Sequence, residues 1–231
     1  MKQPLILVPG LLCDAALWRP VIDGVSDVAA CVVADVMQDD NFEGMAERIL
    51  AWAGPRFALA GLSMGGYVAQ TIMRMAPERV SRLALLDTNA RQDTDEARAR
   101  RRGLIELAQK GQFKGVTPRL LPLFLHPDRL RDAPLVAAVS GMVERVGKDA
   151  FVRQQTAIMN RPDGVPHLPK IRCPTLVLCG RQDVLTPLAL HEEIAGAVPG
   201  ARLVVIEDCG HLPPMERPAE AVAAMRDWLA A

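Results

Sequence analysis

The sequence predicts a single α/β domain: a three-layer sandwich of about six mostly parallel strands with a helical cap inserted into it. Three observations predict it. Short, nearly continuous apolar runs alternate with longer stretches of helical period, the pattern of strands buried on both faces and covered by helices. A Gly-x-Ser-x-Gly run over 61–65 stands between one such strand and one such helix. The interval from Asp87 to Thr175 carries no convincing strand and breaks the alternation once.

The elements follow in order. Leu5–Val8 is a short apolar strand ending at Pro9-Gly10, and 14–25 is the helix after it. Cys31–Val36 is the second strand and Phe42–Trp52 the second helix; Phe57–Leu62 is the third strand and Gly65–Met75 the helix it feeds. Leu83–Asp87 closes the first half. The inserted interval reads as helices: a charged one over 94–110, an apolar one over 116–125 containing Pro118 and Pro122, and two amphipathic ones over 129–146 and 149–159. A Pro-rich return follows over 160–169. Thr175–Cys179 and Arg202–Glu207 are the last strands, with helices over 187–198 and 215–229; Pro187 and Pro218 sit where a first turn tolerates proline. The expected boundaries are 1–90 and 170–231 for the core and 91–169 for the cap.

Composition narrows the function. The chain has 231 residues, 27 basic and 27 acidic side chains and 50% apolar residues. Disorder and low complexity are excluded, and at this length roughly 70% of the chain's surface is buried on folding. A net charge of zero at pH 7 lacks the basic excess that a polyanion partner requires, so no nucleic-acid partner is expected. Cys13, Cys31, Cys173, Cys179 and Cys209 form no C-x-x-C pair, which fits a reduced, cytoplasmic protein. The run Leu5–Val8 is too short for a secretory leader, and the longest uncharged stretch, over 57–73, is broken by Gly61, Gly65 and Gly66. No membrane partner is expected either.

The chemistry gathers at the strand ends. Glycines two before and two after Ser63 permit a tight turn that exposes its hydroxyl, and the following helix aims its positive end at the site. A serine hydroxyl is a weak nucleophile near pH 7 and needs a base, with an acid behind the base to orient it. Asp183 and His211 follow the last two strands in that order, with Asp87 the main rival for the acid and Asp208 a weaker one. Two backbone N–H groups must also hold the developing oxyanion. Met64, directly after the nucleophile, and Leu11, after Pro9-Gly10, are the candidates. Trp18, Phe124, Met142, Phe151 and Met159 are candidates for the substrate pocket, with ordinary packing an equal alternative for each. The run Arg98, Arg100, Arg101, Arg102 follows Asp93, Asp95 and Glu96 and reads as a solvated helix face.

These pieces resemble the α/β-hydrolase superfamily, in its branch of small capped esterases and lactonases. The matching segments are Leu7-Val8-Pro9-Gly10-Leu11, Gly61-Leu62-Ser63-Met64-Gly65-Gly66-Tyr67, Ala76-Pro77-Glu78-Arg79-Val80 with Leu83–Asp87, Gly180–Asp183, and Gly210-His211 with Glu216-Arg217-Pro218. The resemblance implies Ser63 as nucleophile, Asp183 as acid, His211 as base and Leu11 and Met64 as oxyanion donors. Many relatives carry His where this chain has Pro9, so the hydrogen bonds ordering that loop must differ. The chain also starts too close to its first strand for the two antiparallel strands that often open this fold. The expected activity is hydrolysis of a small to medium, largely uncharged carboxylic ester by an acyl-enzyme, without metal or organic cofactor, in a monomer or homodimer. Lactonase, C–C hydrolase or lyase chemistry on the same triad is the alternative, as is ligand binding with little turnover.

Overall fold

A computed structural model describes residues 2–117 and 119–231. Six strands form one sheet in the order β2-β1-β3-β4-β5-β6, and every neighbouring pair is parallel. They are β1 (Gln3–Val8), β2 (Ala29–Val33), β3 (Phe57–Leu62), β4 (Val80–Leu86), β5 (Thr175–Gly180) and β6 (Arg202–Ile206). β3 and β5 are buried at every position, as strands covered on both faces must be. The sheet separates two apolar clusters. One holds Leu5, Leu7, Trp18 and Trp228 with α1 (Ala15–Val25) and α8 (Pro218–Ala230); the other holds Ile6, Val8, Phe57 and Leu59 with α2 (Phe42–Trp52) and α3 (Met64–Met75).

Local signals set the helix ends. Asp14 and Asn41 accept the Ala16 and Gly44 N–H groups and start α1 and α2. The C-terminal stretch read as one helix over 215–229 is two: α7 (Pro213–Glu216) and α8, broken at Arg217 because the residue before Pro218 is pushed out of the helical region. β2 covers Ala29–Val33, earlier than the expected 31–36. It pairs with β1 as far as Leu7↔Val33, and Val36 is buried in the loop beyond instead of in the sheet.

Between β4 and β5 lie α4 (Asp95–Leu107), α5 (Ala133–Met159), a π turn at Ala108–Gln112 and 3-10 turns at Leu121–Leu123, Pro127–Arg129 and Val165–Lys170. The helix expected over 116–125 is thus only the 3-10 turn at Leu121–Leu123, since Pro122 supplies no N–H to a longer one; Pro118 lies outside the described residues. α5 joins the two amphipathic stretches across Gly147, whose φ of 74° and ψ of 179° break the helical path. The remaining core helix, α6 (Leu188–Ala197), connects β5 to β6.

Register matters most for function. The pairings Val8↔Gly61, Leu62↔Leu86, Leu86↔Leu178 and Gly180↔Ile206 level the carboxyl ends of β1, β3, β4, β5 and β6. The loops leaving those ends therefore share one edge, which is where open parallel sheets bind ligands.

Candidate active site

Ser63 stands between β3 and α3 with φ 54° and ψ −115°, a conformation that non-glycine residues rarely adopt. The surroundings hold it there. Its N–H donates to Leu86 O at 2.8 Å, and its carbonyl accepts Gly66 N–H at 2.9 Å and Thr88 Oγ1 at 2.8 Å. A Cβ on Gly61 would stand 2.2 Å from Gly65 O, and one on Gly65 would stand 2.1 Å from Val8 O. Only glycine permits β3, α3 and β1 to meet so closely, which explains two glycines of the motif in contact terms.

His211 follows β6 and is buried, and its Nδ1 lies 2.7 Å from Asp183 Oδ2. Asp183, after β5, also accepts Thr186 Oγ1 on Oδ2 at 2.5 Å, and Leu185 and Thr186 N–H on Oδ1 at 2.8 and 3.1 Å. Burial alone would raise this carboxyl; the His211 charge and hydrogen bond, with the Thr186 bonds, outweigh it and hold the group down at about 2. Asp183 is therefore an anion aimed at one nitrogen of His211. Asp208 instead pairs outward with Arg217, 3.5 Å away.

Asp87 is shifted the other way. It is wholly buried after β4 with φ 42°, and its carboxyl, Asp183 and His211 offer polar atoms all within 4.8 Å of one another. Oδ1 accepts Gly180 N–H at 3.0 Å, and Oδ2 has no hydrogen-bond partner among the described residues. Burial, then the Asp183 charge, pushes Asp87 well above the usual carboxylate range. Of the two, Asp183, the carboxylate that touches His211, therefore ionises first.

The remaining expectations divide by position. Leu11 lies in the turn after β1, where a Cβ on Gly10 would be 3.4 Å from Ser63 Cβ. Among the described residues neither Leu11 nor Met64 donates its N–H to another group. Ser63 Oγ likewise forms no hydrogen bond among them. Phe124 stands edge-on to His211, with 6.3 Å between ring centroids, and its carbonyl accepts the His211 N–H at 2.9 Å. Phe151 packs with Leu12, Val143, Val146 and the Phe113 ring beside the Leu11 turn. Trp18 and Met142 are packed into the core cluster, and Met159 ends α5, where its carbonyl accepts Arg98 Nε.

Several site residues escaped the sequence reading. Glu216 is buried, and its carboxylate accepts the N–H groups of His126 (2.6 Å) and Leu212 (3.0 Å), tying the inserted segment to the His211 loop. Thr88 joins Ser63 O to buried His191, whose Nε2 accepts the Thr88 N–H at 3.0 Å. Burial lowers His191 to about 4, so its neutral ring is the acceptor that this bond needs. Glu216 lay within a quoted motif; Thr88 and His191 carry no sequence signal, because their partners are distant in the chain. All five cysteines are unpaired, and burial pushes Cys13 and Cys179 up to about 12, which leaves them no thiolate chemistry near neutral pH.

Residues 5–225 match the pattern described as the alpha/beta hydrolase family. Over its whole length the chain superposes on a thermophilic esterase from Thermogutta terrifontis with a TM-score of 0.90 and 30% identity, covering 90% of that chain. It superposes on the enol-lactonase from Burkholderia xenovorans LB400 with a TM-score of 0.91 at 24% identity, covering all of this chain and 92% of that one, a likeness of fold. In sequence it is 22% identical over 253 aligned positions to a pimeloyl-[acyl-carrier protein] methyl ester esterase of Aliivibrio salmonicida, covering 97% of this chain and 91% of that protein.

Proposed function

The chain belongs to the alpha/beta hydrolase family, and on that premise we propose that it hydrolyses a small to medium, largely uncharged carboxylic ester through an acyl-enzyme on Ser63. The observation that carries this reading is the joint placement of three features at one sheet edge: a strained, half-buried serine, the His211–Asp183 pair at 2.7 Å, and two uncommitted backbone N–H groups. The 30%-identical thermophilic esterase supports the ester as substrate class.

The proposed steps are those of acyl transfer to a serine. His211 Nε2 takes the Ser63 proton while Asp183 holds the Nδ1–H and stabilises the imidazolium. Ser63 Oγ forms a bond to the ester carbon, and the carbonyl electron pair moves to oxygen, held by the Leu11 and Met64 N–H groups; one such donor is worth about 3 kcal/mol. The tetrahedral carbon expels the alkoxide, which takes the proton from His211 and departs as alcohol. Water, deprotonated by His211, then adds to the acyl carbon, and Ser63 leaves with the proton returned. The segment over 91–169 acts as the cap in this reading. Leu12, Val143, Val146 and Phe151, with Phe113, pack into an apolar cluster against Leu11, which supports an uncharged acyl chain on that side of the site.

The test is hydrolysis of p-nitrophenyl esters of increasing acyl length by wild type and Ser63→Ala at pH 7–8. Multiple turnovers by wild type and a loss of at least about 10³-fold in Ser63→Ala are expected. Full activity in the variant would discard Ser63 as nucleophile. A wild type inert on every ester would shift the reading to lactone, C–C or lyase chemistry.

A further inference from the structure

We infer that Gln154, on the inserted helix α5, is a positioning residue for the oxyanion hole: through Leu12 it fixes the turn that carries the Leu11 N–H. The inference rests on the serine-hydrolase reading and adds to it the group that orders the second donor.

The turn needs an outside anchor. Cys13 N–H donates to Gly10 O at 3.1 Å, closing a four-residue turn whose third residue, Leu12, has φ 59°. That conformation favours glycine, and leucine holds it only when its surroundings over-determine it. Pro9, just before the turn, has no N–H with which to tie it down. The anchor comes from 142 residues away: Leu12 N–H donates to Gln154 Oε1 at 3.1 Å, and Gln154 Nε2 donates to Val36 O at 3.2 Å. Gln154 is 0% exposed, so water offers neither bond a substitute. Its amide matches a donor on one side and an acceptor on the other, which sets its orientation. The neighbouring Arg153 donates Nε to Met37 O at 2.7 Å and pins the same helix turn to the same loop.

The anchor reaches the chemistry because the turn rests on the nucleophile. A Cβ on Gly10 would be 3.3 Å from Leu62 O and 3.4 Å from Ser63 Cβ, so the turn cannot shift without changing where the Leu11 N–H stands relative to Ser63. An oxyanion donor acts only within hydrogen-bond geometry of the developing charge. Losing Gln154 should therefore lower kcat while leaving ground-state binding nearly intact.

The experiment compares Gln154→Leu with Gln155→Leu. Both remove a buried side-chain amide from one turn of α5 and both lower the unfolding midpoint, but Gln155 bonds Arg101 at 2.6 Å and is not tied to the turn. For Gln154→Leu, kcat on p-nitrophenyl butyrate should fall about 10- to 100-fold with KM within about threefold of wild type. Deuterium exchange at the Leu12 amide should rise at least about tenfold. Gln155→Leu should keep both at wild-type values. Gln154→Glu keeps the acceptor toward Leu12 but sets an oxygen against Val36 O, and should recover part of the lost kcat. Gln154→Met fills a similar volume without either bond and replaces the leucine variant if that one does not fold.

A Gln154→Leu enzyme with wild-type kcat, or with wild-type exchange at Leu12, overturns the inference. If instead Ser63→Ala matched wild type on every ester, the hydrolase reading would fall. The exchange rates would then decide alone whether Gln154 orders the turn.

Discussion

Two buried carboxyl groups beside one histidine are shifted in opposite directions, and they differ in their donors. Asp183 accepts bonds from His211, Leu185 and two groups of Thr186, whereas Asp87 has Gly180 N–H alone. Each shift has its own pH signature. Asp183, held at about 2 and so below its unfolded value, contributes stability that is complete above that unfolded value and is lost as pH falls through about 2. Asp87, raised, behaves in reverse: above the unfolded value the denatured chain ionises while the folded group keeps its proton, so stability falls as pH rises. Asp87→Asn preserves the acceptor for Gly180 and removes that ionisation. The variant should gain on wild type as pH rises above the unfolded carboxylate value, with a slope of at most ~1.4 kcal/mol per pH unit. Urea unfolding at several pH values measures it; a wild type and variant that run parallel would mean that Asp87 is ionised when folded. The sequence favoured Asp183 by its order before His211 and kept Asp87 as a rival because both follow strands; the side-chain contact with His211 belongs to Asp183.

At the scale of elements, the inserted helices are fastened to the core by polar contacts as well as by apolar ones. Asp93, buried after β4, binds Arg161 at 2.7 Å and Arg101 at 2.5 Å, and the Arg161 guanidinium lies 4.2 Å over the Tyr67 ring of α3. The Arg98–Arg102 run reads from sequence as a solvated face; Arg101 departs from it because its partners Asp93 and Gln155 are brought together only by folding. α5 owes its shape to Gly147. With φ 74° and ψ 179° that residue occupies a region nearly reserved for glycine, and a Cβ there would meet nothing within 4 Å. Gly147→Ala should therefore cost about 1–3 kcal/mol through backbone strain alone. It should appear as a lower urea midpoint with an unchanged m-value; an unchanged midpoint would mean that α5 straightens without penalty. Sequence periodicity located both halves of α5, since each has its own apolar stripe, but it carried no sign that the helix resumes at once across the glycine.

Across the whole molecule, the insertion and the sheet share one apolar cluster. Leu121, Leu125, Leu135, Val139 and Met142 from the insertion pack with Leu5, Leu7, Leu62 and Leu178 from the strands. A segment whose side chains complete the core has no independent fold to keep when the core melts. All three tryptophans, Trp18, Trp52 and Trp228, lie outside 91–169, so their fluorescence reports the core alone, whereas far-ultraviolet dichroism also reports α4 and α5. The two signals should trace one coincident urea transition. A dichroism change that precedes the fluorescence change would show the insertion unfolding as a separate unit. No helix among the described residues is long and apolar enough to cross a membrane.

The sequence by itself determined the strand order of the chemistry, with serine, acid and histidine each following an apolar run, and the glycine spacing that lets the serine turn sharply. These features are local or ordinal, and the physics behind them acts within a few residues. Tertiary structure alone decided that the expected strand through Val36 stops at Val33, that Asp87 lies buried beside the Asp183–His211 pair, and that Gln154, Glu216 and Thr88 brace the loops around Ser63. Such contacts join residues far apart in the chain through single hydrogen bonds, whose partners are set by how the elements pack and leave no period or spacing behind in the sequence.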